Sequence, residues 1–168
     1  MNAADTDRDS SAVSEQQYLT FLMADEEYGV DILTVQEIRG WEPSTLIPNA
    51  PEYIRGVINL RGTIVPIMDL RLRFGMAPVA YSQVTVVIIL KVDGDHGERV
   101  MGIVVDAVSD VYTIAAGEIR HPPELTGDGN TGFIKGLVNV NEKMVILLDV
   151  NELLRVPGSQ YSPVVEEQ

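Results

Sequence analysis

The sequence predicts an all-β protein in which two similar small barrels pack together, with a few short helices. Short stretches rich in Val and Ile alternate with Gly, Pro, Asn and Asp, as strands alternate with turns. In addition, residues 53–74 align without a gap on residues 133–154, and Ile, Gly, Asn, Val and Asp recur in register. This offset of 80 positions is longer than the roughly 20–50 residues of a solenoid unit. The chain therefore contains two related modules.

Composition limits the classes of function. The 168 residues are 45% apolar and 22% charged, which is typical of a globular protein. No apolar run approaches the roughly 18 residues of a membrane helix, and the polar N-terminus is unlike a signal peptide, so we expect a cytoplasmic protein without direct membrane insertion. The absence of cysteine excludes disulfides and thiolate catalysis. A net charge of −13 argues against nucleic acid as a partner.

The first third of the chain predicts a tail followed by strands. Residues 1–15 are almost without apolar side chains and are expected to be a disordered tail. Residues 17–24 and 27–31 have strand character and are joined by an acidic turn. Residues 32–38 place apolar side chains three positions apart, which fits either a two-turn helix or another strand.

Two hairpins follow. Residues 56–60 and 63–68 are separated only by Arg61 and Gly62, and the glycine can adopt the positive φ of a tight turn, so Arg61 is predicted to lie at a hairpin tip. Residues 84–92 and 98–105 are predicted to pair across the turn at residues 93–97. Because both runs are apolar at consecutive positions, we expect burial on both faces, where the two modules meet.

Two aspartates at repeat-related positions have two explanations. Asp69 and Asp149 each precede a short helical pattern and would cap its N-terminus. Alternatively, each module would contribute one carboxylate to the catalytic dyad of a hydrolase. The residues that follow, Leu70 and Val150, do not match the small hydroxyl residue found in two-lobed aspartic proteases, which favours capping. We find no phosphate-binding glycine motif and no metal-ligand spacing, so neither cofactor nor metal is expected.

Arginine is concentrated between residues 39 and 73, where five occur. Arginine and tryptophan are enriched at binding hot spots, and Trp41, which closely follows Arg39, is the only tryptophan. We therefore predict that Arg39, Trp41 and Arg71 face a partner. The alternatives are ordinary solvated arginines and a tryptophan at the edge of the core.

Three segments, residues 27–38, 53–71 and 102–111, resemble the family of bacterial chemotaxis coupling proteins, CheW, and the match runs from about residue 16 to 154. The resemblance implies two intertwined five-stranded Src-homology-3-like barrels, roughly residues 16–82 and 83–154, followed by a flexible tail at 155–168. It further implies a non-enzymatic adaptor that links chemoreceptors to the histidine kinase CheA, recruited to receptor arrays at the inner face of the membrane. The same module occurs within CheA and CheV, but no kinase or receiver sequence precedes residue 16, so a stand-alone adaptor is expected.

The resemblance also implies a site. Receptor tips are expected in the groove between the barrels, and the barrel ends are expected to meet the regulatory domain of CheA. The positions that match the family's receptor contacts are Val35, Glu37, Arg61 and Val87, and the positions that would support the hairpin are Gly56, Asn59 and Gly62. The second copy has Asn141 and Glu142 in place of Arg61 and Gly62, so the copies are expected to differ in function. A scaffold for a CheA-like kinase in another pathway, such as surface motility, remains the alternative.

Overall fold

The computed structural model describes residues 14–94, 97–121 and 132–155, and within them the chain is built mainly from strands. Short α-helices span Leu70–Arg73 and Val150–Leu153, and 3-10 turns span Ile32–Thr34 and Ala116–Glu118. The strands are β1 Glu15–Met23, β2 Glu26–Asp31, β3 Val35–Gly40, β4 Ile54–Leu60, β5 Thr63–Asp69, β6 Val86–Gly94, β7 Gly97–Val105, β8 Ala107–Ala115, β9 Ile134–Val140 and β10 Lys143–Leu148.

These strands form two five-stranded sheets with the same topology. The orders are β8-β1-β2-β10-β9 and β3-β6-β7-β5-β4, and a shift of five strands converts one into the other. The sheets do not divide the chain near residue 82, because the first combines β1 and β2 with β8–β10 while the second contains β3–β7. The modules are thus intertwined, and the predicted all-β class with two Src-homology-3-like barrels is confirmed.

The predicted strands and hairpins are confirmed within a residue or two at most ends. β4 pairs with β5 across a two-residue turn, and β6 pairs with β7 along its whole length. In the ambiguous segment 32–38, the strand alternative is confirmed from residue 35 onward, where β3 begins, whereas residues 32–34 form a single 3-10 turn and not the two-turn helix. Asp31 is the last residue of β2, and its side chain stabilises the turn because it accepts a hydrogen bond from the Leu33 amide at 2.9 Å.

The core has one large central cluster and a smaller cluster inside each barrel. The central cluster includes Phe21 and Val30 from the first sheet, and Ile88 and Ile103 from the second. Alternate residues of β6, among them Ile89, point instead into the second barrel. β6 is therefore buried on both faces and lies where the modules meet, as the sequence predicts.

Asp69 and Asp149 cap the two short helices. Each carboxylate accepts a hydrogen bond from the backbone amide three residues later, at 3.2 Å in both cases. Asp69 is only 3% exposed, and its second oxygen accepts a hydrogen bond from the Tyr81 hydroxyl at 2.5 Å. The capping role predicted from the sequence is confirmed.

Several sequence predictions fall at or beyond the limits of the described residues. The predicted tails, 1–15 and 155–168, lie almost wholly outside them, although residue 15 already belongs to β1. The centre of the β6–β7 turn, residues 95 and 96, also lies outside. Within the described residues, no helix has the length and apolar character needed to cross a membrane.

Candidate protein-interaction site

The β4–β5 hairpin presents Arg61 at its tip. Leu60 pairs with Thr63, and the two residues between them have positive φ, 51° for Arg61 and 90° for Gly62, as in a type I′ turn. The Asn59 side chain accepts a hydrogen bond from the Gly62 amide at 2.9 Å. Asn59 and Gly62 therefore fix the turn, and the Arg61 side chain projects from it with 73% of its surface exposed.

Gly56 has a different role from the one expected. It lies at the opposite end of β4 from the turn, with a φ of 138°, and a Cβ atom there would clash with the main-chain carbonyl of Thr45. Thr45 and Val57 exchange backbone hydrogen bonds of 3.0 and 2.8 Å in an isolated bridge. Gly56 therefore allows the segment around residue 45 to approach β4, and its influence on the hairpin tip is indirect.

A chain of ion pairs joins the hairpin tip to β3. Glu37 accepts from Nη2 of Arg61 at 2.6 Å and from Nη1 of Arg39 at 3.3 Å. The second terminal nitrogen of Arg39 donates to Glu42 at 2.7 Å. The hydrogen bond from Arg61 is the main cause that lowers the pKa of the Glu37 carboxyl. Arg61 and Glu37, which the resemblance assigns to one surface, are in direct contact.

The two valines of the predicted surface lie deeper. Val35 is partly buried and packs against the central core, on the far side of a β-bulge from Glu37. Val87 is 4% exposed, lies opposite Arg39 in the β3–β6 ladder and packs inside the second barrel. The expected contact of Val87 with a receptor does not fit this burial. Val87 instead lies beside Arg39 across the ladder, and both side chains line a small depression together with Trp41.

Trp41 is half-buried at the edge of the second barrel, which matches the alternative explanation given for it. Its ring lies 4.2 Å from the ring of Tyr81, and its amide donates to the Thr85 carbonyl at 3.1 Å. Burial is the main cause that raises the pKa of Tyr81, and the hydrogen bond to Asp69 adds to it. Trp41 thus fixes the end of β3 and contributes to the lining of the depression.

Arg71 uses its guanidinium inside the molecule. Its Nε and Nη2 donate to the two oxygens of Asp106 at 3.0 and 2.7 Å, a bidentate pair. Asp106 also accepts from the Ala24 amide at 2.9 Å. The hydrogen bond from Arg71 is the main cause that lowers the pKa of Asp106. Arg71 therefore ties a short helix to the β7–β8 junction and the β1–β2 turn, and a partner-facing role does not fit these contacts.

Three residues that hold this arrangement are absent from the sequence-derived candidates: Glu42, Tyr81 and Asp106. A local signal existed only for Glu42, which lies three positions after the arginine that it binds. Tyr81 and Asp106 contact residues 12 and 35 positions away, and nothing in the sequence pairs them. Across the described residues, no cluster of three or more side chains could hold a metal ion.

Comparison with known proteins gives one family. The family model for the CheW-like domain matches residues 17–157. The chemotaxis protein CheW of Klebsiella aerogenes is 50% identical over 139 residues, which is 83% of this chain and 81% of that protein. The protein FrzA of Myxococcus xanthus is 31% identical over 151 residues, covering 87% and 89%. The crystal structure of the scaffolding protein TtCheW from Thermoanaerobacter tengcongensis superposes with a TM-score of 0.77, at 35% identity, and covers 89% of this chain and 99% of that one. The chain therefore belongs to the CheW family.

Proposed function

We propose that the protein is a non-enzymatic adaptor that couples chemoreceptors to the histidine kinase CheA, at receptor arrays on the inner face of the membrane. Family membership and the similarity to TtCheW, a scaffolding protein, support this role. The observation that carries the proposal is the exposed Arg61, held by Glu37 of β3, which also pairs with Arg39 of the same strand. These are groups suited to recognition of a protein surface.

The receptor contact is assigned to the hairpin tip and β3. Among the residues that the structure describes, Arg61 donates to a single carboxylate oxygen, which leaves the rest of its forked guanidinium available for a carboxylate or carbonyl of a receptor helix. Glu37 fixes the direction of the Arg61 side chain before binding, which reduces the entropy lost on association. The second copy has Asn141 in place of Arg61, so the β4–β5 hairpin alone provides this receptor contact. The regulatory domain of CheA is assigned to the barrel ends.

The test compares repeat-related variants. Arg61→Ala removes the proposed contact, and Asn141→Ala makes the same truncation at the equivalent tip of the β9–β10 hairpin. In a mixture of the protein, CheA and a receptor signalling fragment, we expect Arg61→Ala to weaken receptor binding about tenfold and to reduce receptor control of kinase activity. Asn141→Ala should leave both unchanged. Full receptor control by the Arg61→Ala variant would show that the assignment is wrong.

A second candidate function differs only in the pathway. The match to the Myxococcus protein FrzA, which is not named for chemotaxis, is compatible with the alternative drawn from the resemblance, a scaffold for a CheA-like kinase in another pathway such as surface motility. Affinity purification of the protein from its own cells, followed by identification of the bound kinase, separates the two. Recovery of the chemotaxis kinase supports the first function, and recovery of a different kinase supports the second.

A further inference from the structure

Arg73 has surroundings unlike those of the other arginines in its segment. It ends the first short helix, and its guanidinium carbon lies 5.0 Å from the ring centres of both Tyr53 and Phe133. Tyr53 and Phe133 occupy equivalent positions in the two copies of the repeat. The guanidinium therefore lies at the seam between the barrels, between two rings contributed by related elements.

This guanidinium lacks a polar partner. Its Nε is buried without a hydrogen bond, and within residues 14–94, 97–121 and 132–155 no carboxylate forms an ion pair with it. Of the other four arginines between residues 39 and 73, Arg39, Arg61 and Arg71 each have such a carboxylate, whereas Arg55 forms no ion pair with the described residues. A partly buried cation without a counterion is costly, and the cation–π contacts with Tyr53 and Phe133 offset part of this cost. These contacts leave the buried Nε without an acceptor.

The second copy of the repeat shows that packing does not require an arginine at this position. The residue equivalent to Arg73 is Leu153, which is fully buried in the central core. A leucine fills the place next to the seam in one module, whereas the other module places a cation there.

The surroundings of Arg73 suit an incoming carboxylate. The two rings restrict the guanidinium, so little side-chain entropy is lost when it binds. Phe74 stacks on Phe133, one of these two rings, so apolar side chains surround this place, and low polarity strengthens a charge-assisted hydrogen bond. The forked donors of arginine match the two oxygens of a carboxylate.

We propose that Arg73 is a binding site for the carboxylate of an aspartate or glutamate on a protein partner that docks at the seam between the barrels. This surface is separate from the Arg61 tip. The seven residues of β4 lie between them, a span of about 20 Å for an extended strand. The carboxylate site does not depend on the proposed coupling function.

The chemistry is tested first with a small probe. The Nε–H of Arg73 is observed by ¹H–¹⁵N NMR in the full chain while sodium N-acetylglutamate is added, and sodium chloride at equal ionic strength is the control. We expect the Arg73 resonance to shift and saturate with the glutamate derivative only. The resonance of Arg120, an exposed arginine, should shift linearly and little. Equal responses of both arginines, or an equal response to chloride, would overturn the site.

The docking role is tested with Arg73→Leu, which copies the second module, and with Arg73→Lys, which keeps the charge without the fork. Affinities for CheA and for a receptor signalling fragment are measured separately. We expect Arg73→Leu to weaken one of them at least tenfold, Arg73→Lys to weaken the same one less, and Arg120→Leu to change neither. If the wild-type protein binds and Arg73→Leu binds equally well, the docking role is wrong. If the wild-type protein binds neither, the coupling function fails while the N-acetylglutamate titration still decides the carboxylate site.

Discussion

Replacement of Arg61 by asparagine is expected to stabilise the protein while it reduces receptor binding. Arg61 has a φ of 51°, in the left-handed region that costs most L-residues about 1 kcal/mol or more. Asparagine tolerates this region and is preferred in type I′ turns. The equivalent hairpin already contains Asn141 with a φ of 54°. The strained residue is therefore the one that carries the proposed contact.

The magnitude follows from two opposing effects. Relief of backbone strain should raise the free energy of unfolding by about 0.5–1 kcal/mol. Loss of the Arg61–Glu37 ion pair opposes this only slightly, because the Arg61 side chain is 73% exposed and Glu37 keeps Arg39 as a partner. For a chain of this length, the expected rise in Tm is about 1–4 °C.

Urea unfolding followed by circular dichroism measures the change at low and high salt. Because salt screens the exposed ion pair, the advantage of Arg61→Asn should increase from low ionic strength to about 0.5 M. The reciprocal variant, Asn141→Arg, should lose a similar amount of stability. If Arg61→Asn is less stable than the wild type at high salt, the turn does not strain Arg61 and the reasoning is wrong.

Three further changes test individual contacts. Gly56→Ala should lower the free energy of unfolding, measured in urea, by about 2–4 kcal/mol, because the φ of 138° and the adjacent backbone exclude a Cβ atom. The control is Gly40→Ala, which has open space around the new methyl group and should change this free energy little. Arg71 lowers the pKa of Asp106, so this pair stabilises the fold above the ordinary aspartate pKa of about 4 and less as the pH falls below it. Asp106→Asn should therefore flatten the acid side of the pH–stability curve. Tyr81→Phe should lower the free energy of unfolding by about 1–2 kcal/mol, because it removes the hydroxyl that donates to the helix-capping carboxylate of Asp69. An unchanged urea midpoint would contradict a stabilising role of this hydrogen bond.

Local patterns in the sequence predicted most of the fold. The pair Arg61-Gly62 between apolar runs predicted the hairpin, and Asp69 with Asp149 predicted the helix starts, because turns and caps depend on residues close in sequence. The exchange of strands between the modules was not predictable in this way. It depends on which edges pair over long separations, and the parallel β2–β10 and β5–β7 contacts leave no local signal.

The candidate site was predictable only in part, for the same reason. Matching motifs brought Glu37 and Arg61 to one surface, and the structure places them in contact across 24 positions. The motif match could not report burial, so it ranked Val87 beside them although that side chain faces the barrel interior. An arginine-rich segment likewise predicted a partner for Arg71, which the structure pairs internally, and gave no reason to single out Arg73.

The exchange of strands explains why a duplicated module is suited to two different contacts. The second sheet, residues 35–105, carries the Arg61 tip, and its strands β6 and β7 share the central core with β1 and β2 of the first sheet. Neither sheet is contributed by one copy alone, so the barrels are held in a fixed relation by the core that joins them. A substitution at the tip of the β4–β5 hairpin therefore changes the surface of one barrel and does not shift the position of the other barrel. The repeat supplies a rigid frame, and the differences between its copies, Arg61 against Asn141 and Arg73 against Leu153, mark the positions where we expect partners to bind.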